Sequence, residues 1–169
     1  MKRFAQGARH RIELTLNGVK RVGYSEPRML LSDFLRQELG AIGVHVGCEH
    51  GVCGACTVRI GGVAQRSCLA LAVGVEGQTV QTVEGLAGAE GELSDLQTAF
   101  RRHHALQCGF CTAGILLSAS EFLERVPEPT EAQVRDMLSG HVCRGTGYTP
   151  IVQAILSAAA ERRKEPRRA

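Results

Sequence analysis

The chain has 169 residues, 44% hydrophobic and 22% charged, with a formal net charge of +3, the make-up of a folded globular protein with room for one domain or two small ones. Much of the positive excess sits at the very end, in Arg162, Arg163, Lys164, Arg167 and Arg168, which marks a solvated terminus rather than a nucleic-acid surface. No apolar run approaches the roughly 18 residues that span a bilayer, and with no Trp and only 4% aromatics the core must be aliphatic.

The first residues, MKRFAQGARHRIELTLNG, are basic but have no apolar stretch behind them, so they do not read as an export signal. The expected location is a reducing cytoplasm, with export as the passenger of a signal-bearing partner left open; in the cytoplasm cysteines favour metals over disulfides. Along residues 10–16 Ile12, Leu14 and Leu16 alternate with polar neighbours, the period of a half-buried strand. Asn17-Gly18 is a hairpin signal, and residues 19–24 form the returning strand. Leu30, Leu31, Phe34, Leu35 and Leu39 then fall at helical spacing between Pro27 and Gly40. After a cysteine-rich loop, residues 57–60 and 63–66 flank Gly61-Gly62 as a second hairpin, and residues 78–83 make a last short strand. Strands, one crossing helix and a metal loop predict an α+β domain.

Near Glu84 the texture changes. Gly85, Gly88 and Gly91 mark a linker, after which the signals are helical. Ser94 with Gln97 and Thr130 with Gln133 are capping boxes, opening helices that run to about Leu106 and Leu138. Thr112 is placed to cap a helix carrying Ile115, Leu116, Ala119, Phe122 and Leu123 and ending at Pro127. Thr149 as cap and Pro150 as first helical residue start a final helix through Ile151, Ile155 and Ala158. Four short helices predict a small bundle, and the expected domains are 1–83 and 84–169.

The chemistry lies in the cysteines. Cys48, Cys53, Cys56 and Cys68 are spaced C-x4-C-x2-C, then eleven residues, then C, and the first three match the spacing of plant-type [2Fe–2S] ferredoxins. Gly43, Gly47, Gly51 and Gly54 interleave with them; a loop folded round a cluster needs backbone that approaches closely and turns its amides toward sulfur. Three other readings compete. Cys53-x2-Cys56 alone is a zinc half-site, but zinc sites usually pair two short knuckles. Disulfides suit a secreted chain with an even cysteine count, whereas this one has seven. Inert buried thiols would explain neither the spacing nor the glycines. Cys108 and Cys111, in LQCGFCTAG, and Cys143, in GHVCRGTGYTP, fall at two helix junctions that can meet at one end of a bundle. Three thiolates there would leave one ligand unaccounted for.

Together GCEHGVCGACTV, RSCLALA, LQCGFCTAG and CRGTGYTPIVQAI resemble the small iron–sulfur subunit of the molybdenum hydroxylases, the xanthine oxidase family, which includes bacterial aldehyde, carbon monoxide and N-heterocycle dehydrogenases. The resemblance runs from about residue 10 to residue 160. It implies an N-terminal β-grasp ferredoxin-like domain and a C-terminal four-helix domain, each with a [2Fe–2S] cluster. Cys48, Cys53, Cys56 and Cys68 would bind the outer cluster, with Gly47, Gly51 and Gly54 shaping its loop. Cys108, Cys111, Cys143 and a cysteine two residues further on would bind the inner one. That last position is Gly145. Either a nearby group completes the inner site, with His141, His103, His104 or a water as candidates, or the inner cluster is labile or lost.

The resemblance also implies partners: a large subunit carrying molybdopterin, where substrate is oxidised, and FAD, often on a third subunit, or another acceptor. Gln107 matches a position that contacts the pterin; the local alternative is a helix-end glutamine bonding a free carbonyl. Arg144 could pair with a partner's carboxylate or offset cluster charge. The sequence has no dinucleotide fingerprint, phosphate loop or nucleophile elbow, so the chain itself reads as wiring, with no catalytic residue of its own. A free ferredoxin-like carrier, or an interaction subunit with one structural cluster, is the competing class. The substrate could be an aldehyde, purine, N-heterocycle, carbon monoxide or aryl-CoA.

Overall fold

A computed structural model describes residues 7–88 and 90–164. The basic start of the chain, Ala89 of the glycine linker and residues 165–169 of the basic tail lie outside the described residues. Strands β1 (His10–Leu16) and β2 (Val19–Ser25) pair antiparallel from Leu16 opposite Val19 to His10 opposite Ser25. Their turn needs two left-handed residues in succession, which Asn17 (φ 50°) and Gly18 (φ 82°) supply. β3 (Thr57–Ile60) and β4 (Val63–Arg66) form the second hairpin. β5 (Thr79–Gln81) runs parallel to β1 and antiparallel to β3, giving the order β2-β1-β5-β3-β4.

Ile12, Leu14, Leu16, Val58, Ile60 and Val80 turn one face of this sheet onto Leu31, Phe34, Leu35 and Leu39. The first three belong to α1 (Leu31–Asp33) and its π-helical continuation, Phe34–Glu38, and Leu39 caps that stretch with its N bonded to Phe34 O at 3.2 Å. The wider turn sets residues five apart on one side, so Phe34 and Leu39 both reach the core. β2 makes room with Gly23, where a Cβ would lie 2.7 Å from the Phe34 ring. This is the β-grasp half of an α+β fold. β5 is shorter than its pattern suggested, because at Val83–Leu86 the chain tightens into a 3-10 turn and Val83 and Leu86 pack onto a second core.

That second core joins α2 (Asp95–Arg102), α3 (Thr112–Arg125), α4 (Glu131–Leu138) and α5 (Thr149–Lys164) through Leu96, Phe100, Ile115, Leu123, Val134 and Ile155, among others. Both capping boxes form, Ser94 with Gln97 and Thr130 with Gln133. Three helix ends differ from expectation. α2 stops at Arg102 rather than near Leu106: His104 turns left-handed (φ 50°) so that Ala105 N can bond Phe100 O at 2.9 Å and Ala105 is buried. Cys111, not Thr112, takes the cap position of α3; the Thr112 hydroxyl is buried with no hydrogen-bond partner among the described residues. α5 includes Thr149, with Val152 N bonded to Tyr148 O at 2.9 Å. No described helix is long and apolar enough to cross a membrane.

Candidate metal centres

The outer loop leaves α1 and winds past Cys48, Cys53 and Cys56 into β3. Its tight path uses left-handed backbone at Gly51 (φ 84°) and Gly54 (φ 78°), which a Cβ would strain. Gly47 matters by its emptiness, since a Cβ there would lie 3.3 Å from Cys53 Sγ and 3.3 Å from the Phe110 ring. Backbone amides face sulfur: Cys53 N donates to Cys48 Sγ at 3.3 Å. That amide, with those near His50, draws the Cys48 thiol down to about 6. Burial, then the neighbouring Cys56 sulfur, pushes Cys68 up to about 11. Cys56 and Cys68 are 2% and 3% exposed and belong to the β-grasp core itself. A buried thiol whose deprotonation is opposed by burial and by a neighbouring sulfur is relieved by a cation placed among them.

The inner loops come from α2–α3 and α4–α5. Gln107, Cys108, Gly109, Phe110, Cys111, Cys143, Arg144, Gly145 and Thr146 line one cavity of about 150 Å³. Burial and the Cys143 sulfur push the Cys111 thiol up to about 12. Burial also opposes the Cys143 thiolate, but hydrogen bonds from Thr146 and from Cys111 outweigh it, so Cys143 lies below the usual thiol range. Thr146 Oγ1 is 3.0 Å from Cys143 Sγ. Tyr148 pins the loop: its hydroxyl accepts from Cys143 N at 2.8 Å and donates to His141 O at 3.0 Å. Gln107, Cys108 and Arg144 are exposed at the rim. Thr146 and Tyr148 had entered only as letters of a motif; nothing in the sequence announced them as loop braces. Among the described residues no three His, Cys, Asp or Glu side chains close on one point as a single-ion site.

His141, a sequence-level candidate for the missing ligand, is turned elsewhere. It is buried, its Nε2 lies 2.8 Å from Ser118 Oγ, and its Nδ1 lies under Gly54, where a Cβ would be 2.5 Å from it. Burial and then the Arg66 charge draw its pKa down to about 4, so it is a neutral wedge between the two halves of the chain. Neither it nor His103 or His104 lines the inner cavity.

The same seam brings the two sites together. Val142 N donates to Cys53 O at 2.9 Å, Arg66 donates to Gly140 O, and Arg59 grips Glu124 with two bonds of 2.7 and 2.6 Å. His45 stacks on Phe110, centroids 4.9 Å apart, and its Nδ1 donates to Phe110 O at 2.9 Å. At the closest point α3 presents Gly114 to the outer loop; a Cβ there would lie 2.1 Å from Gly54 O.

Two family models match, a 2Fe-2S iron-sulfur cluster binding domain over residues 14–87 and a [2Fe-2S] binding domain over residues 82–156. The nicotine 6-hydroxylase small subunit of Paenarthrobacter nicotinovorans is 52% identical over 147 residues, 87% of this chain and 88% of that one. The chain belongs to the iron–sulfur small subunits of the molybdenum hydroxylases. Another relative of this family, caffeine dehydrogenase subunit gamma of Pseudomonas sp. (strain CBB1), is 48% identical over 151 residues, covering 88% of this chain and 90% of that one. The crystal structure of quinoline 2-oxidoreductase from Pseudomonas putida 86 contains a chain that superposes with a TM-score of 0.89 at 51% identity, over 94% of this chain and 98% of that one. As an iron–sulfur small subunit, this chain carries two [2Fe–2S]-binding domains and serves an oxidoreductase of several subunits.

Proposed function

We propose that this chain is the electron-transfer subunit of a molybdenum-containing hydroxylase or dehydrogenase, with residues 1–83 as its ferredoxin-like unit and 84–169 as its helical unit. Its task is to carry electrons from the molybdopterin centre of a large partner subunit to FAD, on a medium-sized subunit, or to another acceptor. Cys48, Cys53, Cys56 and Cys68 hold the outer [2Fe–2S] cluster; Cys108, Cys111 and Cys143 contribute to the inner one. When bound, such a cluster accepts and releases one electron at a time at a potential set by its ligands, hydrogen bonds and exposure.

The observation that carries the reading is the bond from Val142 N to Cys53 O, 2.9 Å long. Val142 precedes an inner cysteine and Cys53 is an outer one, so a few covalent bonds and one hydrogen bond join the two thiolate sets. The protein supplies that rigid path and tunes both sites with the amide and hydroxyl donors already described. Exposed apolar side chains sit beside each site: Leu106, Phe110 and Val142 by the inner loops, Val52 and Leu69 by the outer. They favour docked partners over a roaming carrier, which presents a small charged face. Gln107, at the inner rim, contacts the partner's pterin. Nicotine, caffeine and quinoline, named in the relatives above, are all N-heteroaromatic compounds, which makes that class the first substrates to try; the cytoplasm is the place to look for the complex.

The test is affinity purification of the chain from its native cell under anaerobic conditions, with metal analysis of what accompanies it. A molybdenum-containing large chain, and bleaching of the visible iron–sulfur absorbance when an N-heteroaromatic substrate is added, are the expected results. A colourless chain, or a stable monomer that alone donates electrons to several unrelated enzymes, would overturn the proposal.

A further inference from the structure

The structure assigns a fourth ligand to the inner site: we infer that the side-chain carbonyl oxygen of Gln107 takes the coordination position left by Gly145. The inference rests on the reading of Cys108, Cys111 and Cys143 as ligands of a [2Fe–2S] cluster. Gly145 offers no donor, and a Cβ built on it would lie 2.8 Å from Gln107 Oε1 and 3.3 Å from both Cβ and Cδ of Gln107. The glutamine amide therefore fills the space that a side chain at position 145 would enter. Gln107 and Gly145 line the same cavity as the three cysteines, and among the described residues no hydrogen bond engages the Gln107 amide.

The competing donors are engaged or unsuitable. Thr146 Oγ1 already serves Cys143 Sγ and Tyr148 N. Arg144 has no lone pair to give, and His141 is held by Ser118 and does not line the cavity. An amide oxygen is a neutral ligand where a thiolate is an anion, so three thiolates and one oxygen leave the site one negative charge short of four thiolates. Adding an electron is then easier and the potential rises, the direction that imidazole ligands give in Rieske centres. Binding through Oε1 leaves Nε2 free to donate outward, so the same residue can still meet the partner's pterin.

The test compares the anaerobically purified complex of the native chain with Gln107→Leu, Gln107→Glu, Gly145→Cys and the Gln107→Leu/Gly145→Cys double variant. Iron and acid-labile sulfide are counted, and the dithionite-reduced EPR signals are followed through a redox titration. Two [2Fe–2S] clusters predict about four irons per native chain. Gln107→Leu should lose the inner signal and half the iron while the outer signal stays unchanged. Gln107→Glu, which keeps an oxygen and adds a charge, should keep both signals with a lower inner midpoint. Gly145→Cys and the double variant should hold both clusters, with inner midpoints below the native one. Native g-values, iron count and midpoint in Gln107→Leu would overturn the assignment. So would a double variant that fails to regain the cluster, because the defect would then lie in the loop rather than in the missing oxygen. A native chain with only the outer signal would overturn it too and leave the outer site standing; a native chain with neither signal would defeat the reading beneath it.

Discussion

Gly114 separates local propensity from tertiary contact. It lies early in α3, and replacing a helix-interior glycine by alanine gains about 1 kcal/mol from backbone entropy alone. The structure reverses that sign. An added Cβ would lie 2.1 Å from Gly54 O and 3.1 Å from Ala55 O, both backbone atoms of the loop between Cys53 and Cys56. A carbon and an oxygen normally rest no closer than about 3.3 Å, so the helix and the loop must part by roughly an ångström. Overfilling a close-packed site costs about 1–3 kcal/mol and sometimes more. With the propensity gain subtracted, Gly114→Ala should lose on the order of 1 kcal/mol, which in a chain of this size lowers Tm by about 2–4 °C. The parting also strains the bond between Val142 N and Cys53 O, so the magnetic coupling between the two reduced clusters should weaken. Thermal unfolding followed by visible circular dichroism, with EPR of the reduced protein, reads both effects. A Tm equal to or above that of the native protein, with coupling intact, would refute the contact and the seam built on it.

Tyr148→Phe removes the hydroxyl that accepts from the half-buried Cys143 N, and leaving that donor without its partner should cost about 1 kcal/mol; we expect a lower Tm and a broadened inner EPR signal, and an unaltered melt would count against the brace. Cys68→Ala should abolish the outer signal and leave the inner one, as checked by EPR and iron count; loss of both signals would mean that the sites do not assemble separately. Burial disfavours the Asp95 carboxylate, but Arg162 more than compensates and holds it below the usual carboxylate range. Folded Asp95 thus binds protons less readily than unfolded Asp95, so its contribution is present above pH ~4 and disappears as pH falls through the lower folded value. Because both partners are partly exposed, Asp95→Asn should cost no more than about 1 kcal/mol at pH 7 and progressively less as pH falls through the folded value; a Tm difference that stays constant as pH falls would contradict the sign.

Much of the fold was legible because its signals are local. Asn17-Gly18 and Gly61-Gly62 carry the positive φ that two-residue hairpins demand, and Ser94 and Thr130 each meet a glutamine three residues on. The misplaced ends had non-local causes. Leu106 continued the apolar pattern of α2, yet it stands 42% exposed while Ala105 is buried in its stead. The chain leaves the helix early to deliver Cys108 to its loop, a requirement that helical periodicity does not register. The cysteine motifs were equally local, so their spacing could be read directly. The contact between the outer loop and its neighbours could not: nothing in the sequence marked Gly114, and His141 stood as a candidate ligand, until the fold pressed both against Gly54.

On the proposed ligand assignment, burial makes position 145 easier to vacate than Cys56 or Cys68. Cys56 and Cys68 are core residues, packed with Val58 and Val75 beneath the sheet. Losing either would remove a proposed ligand and also cost the lost transfer energy and the unfilled cavity of a large-to-small change in a core. Position 145 stands at the exposed rim of its cavity, between Arg144 and Thr146, where no packing depends on a side chain. On the proposed assignment a glycine there would change the ligand set without opening a cavity in the helical core, and it leaves space that the Gln107 side chain enters. On that reading, position 145 is a place where this scaffold would alter the potential of an electron-carrying site without altering its fold.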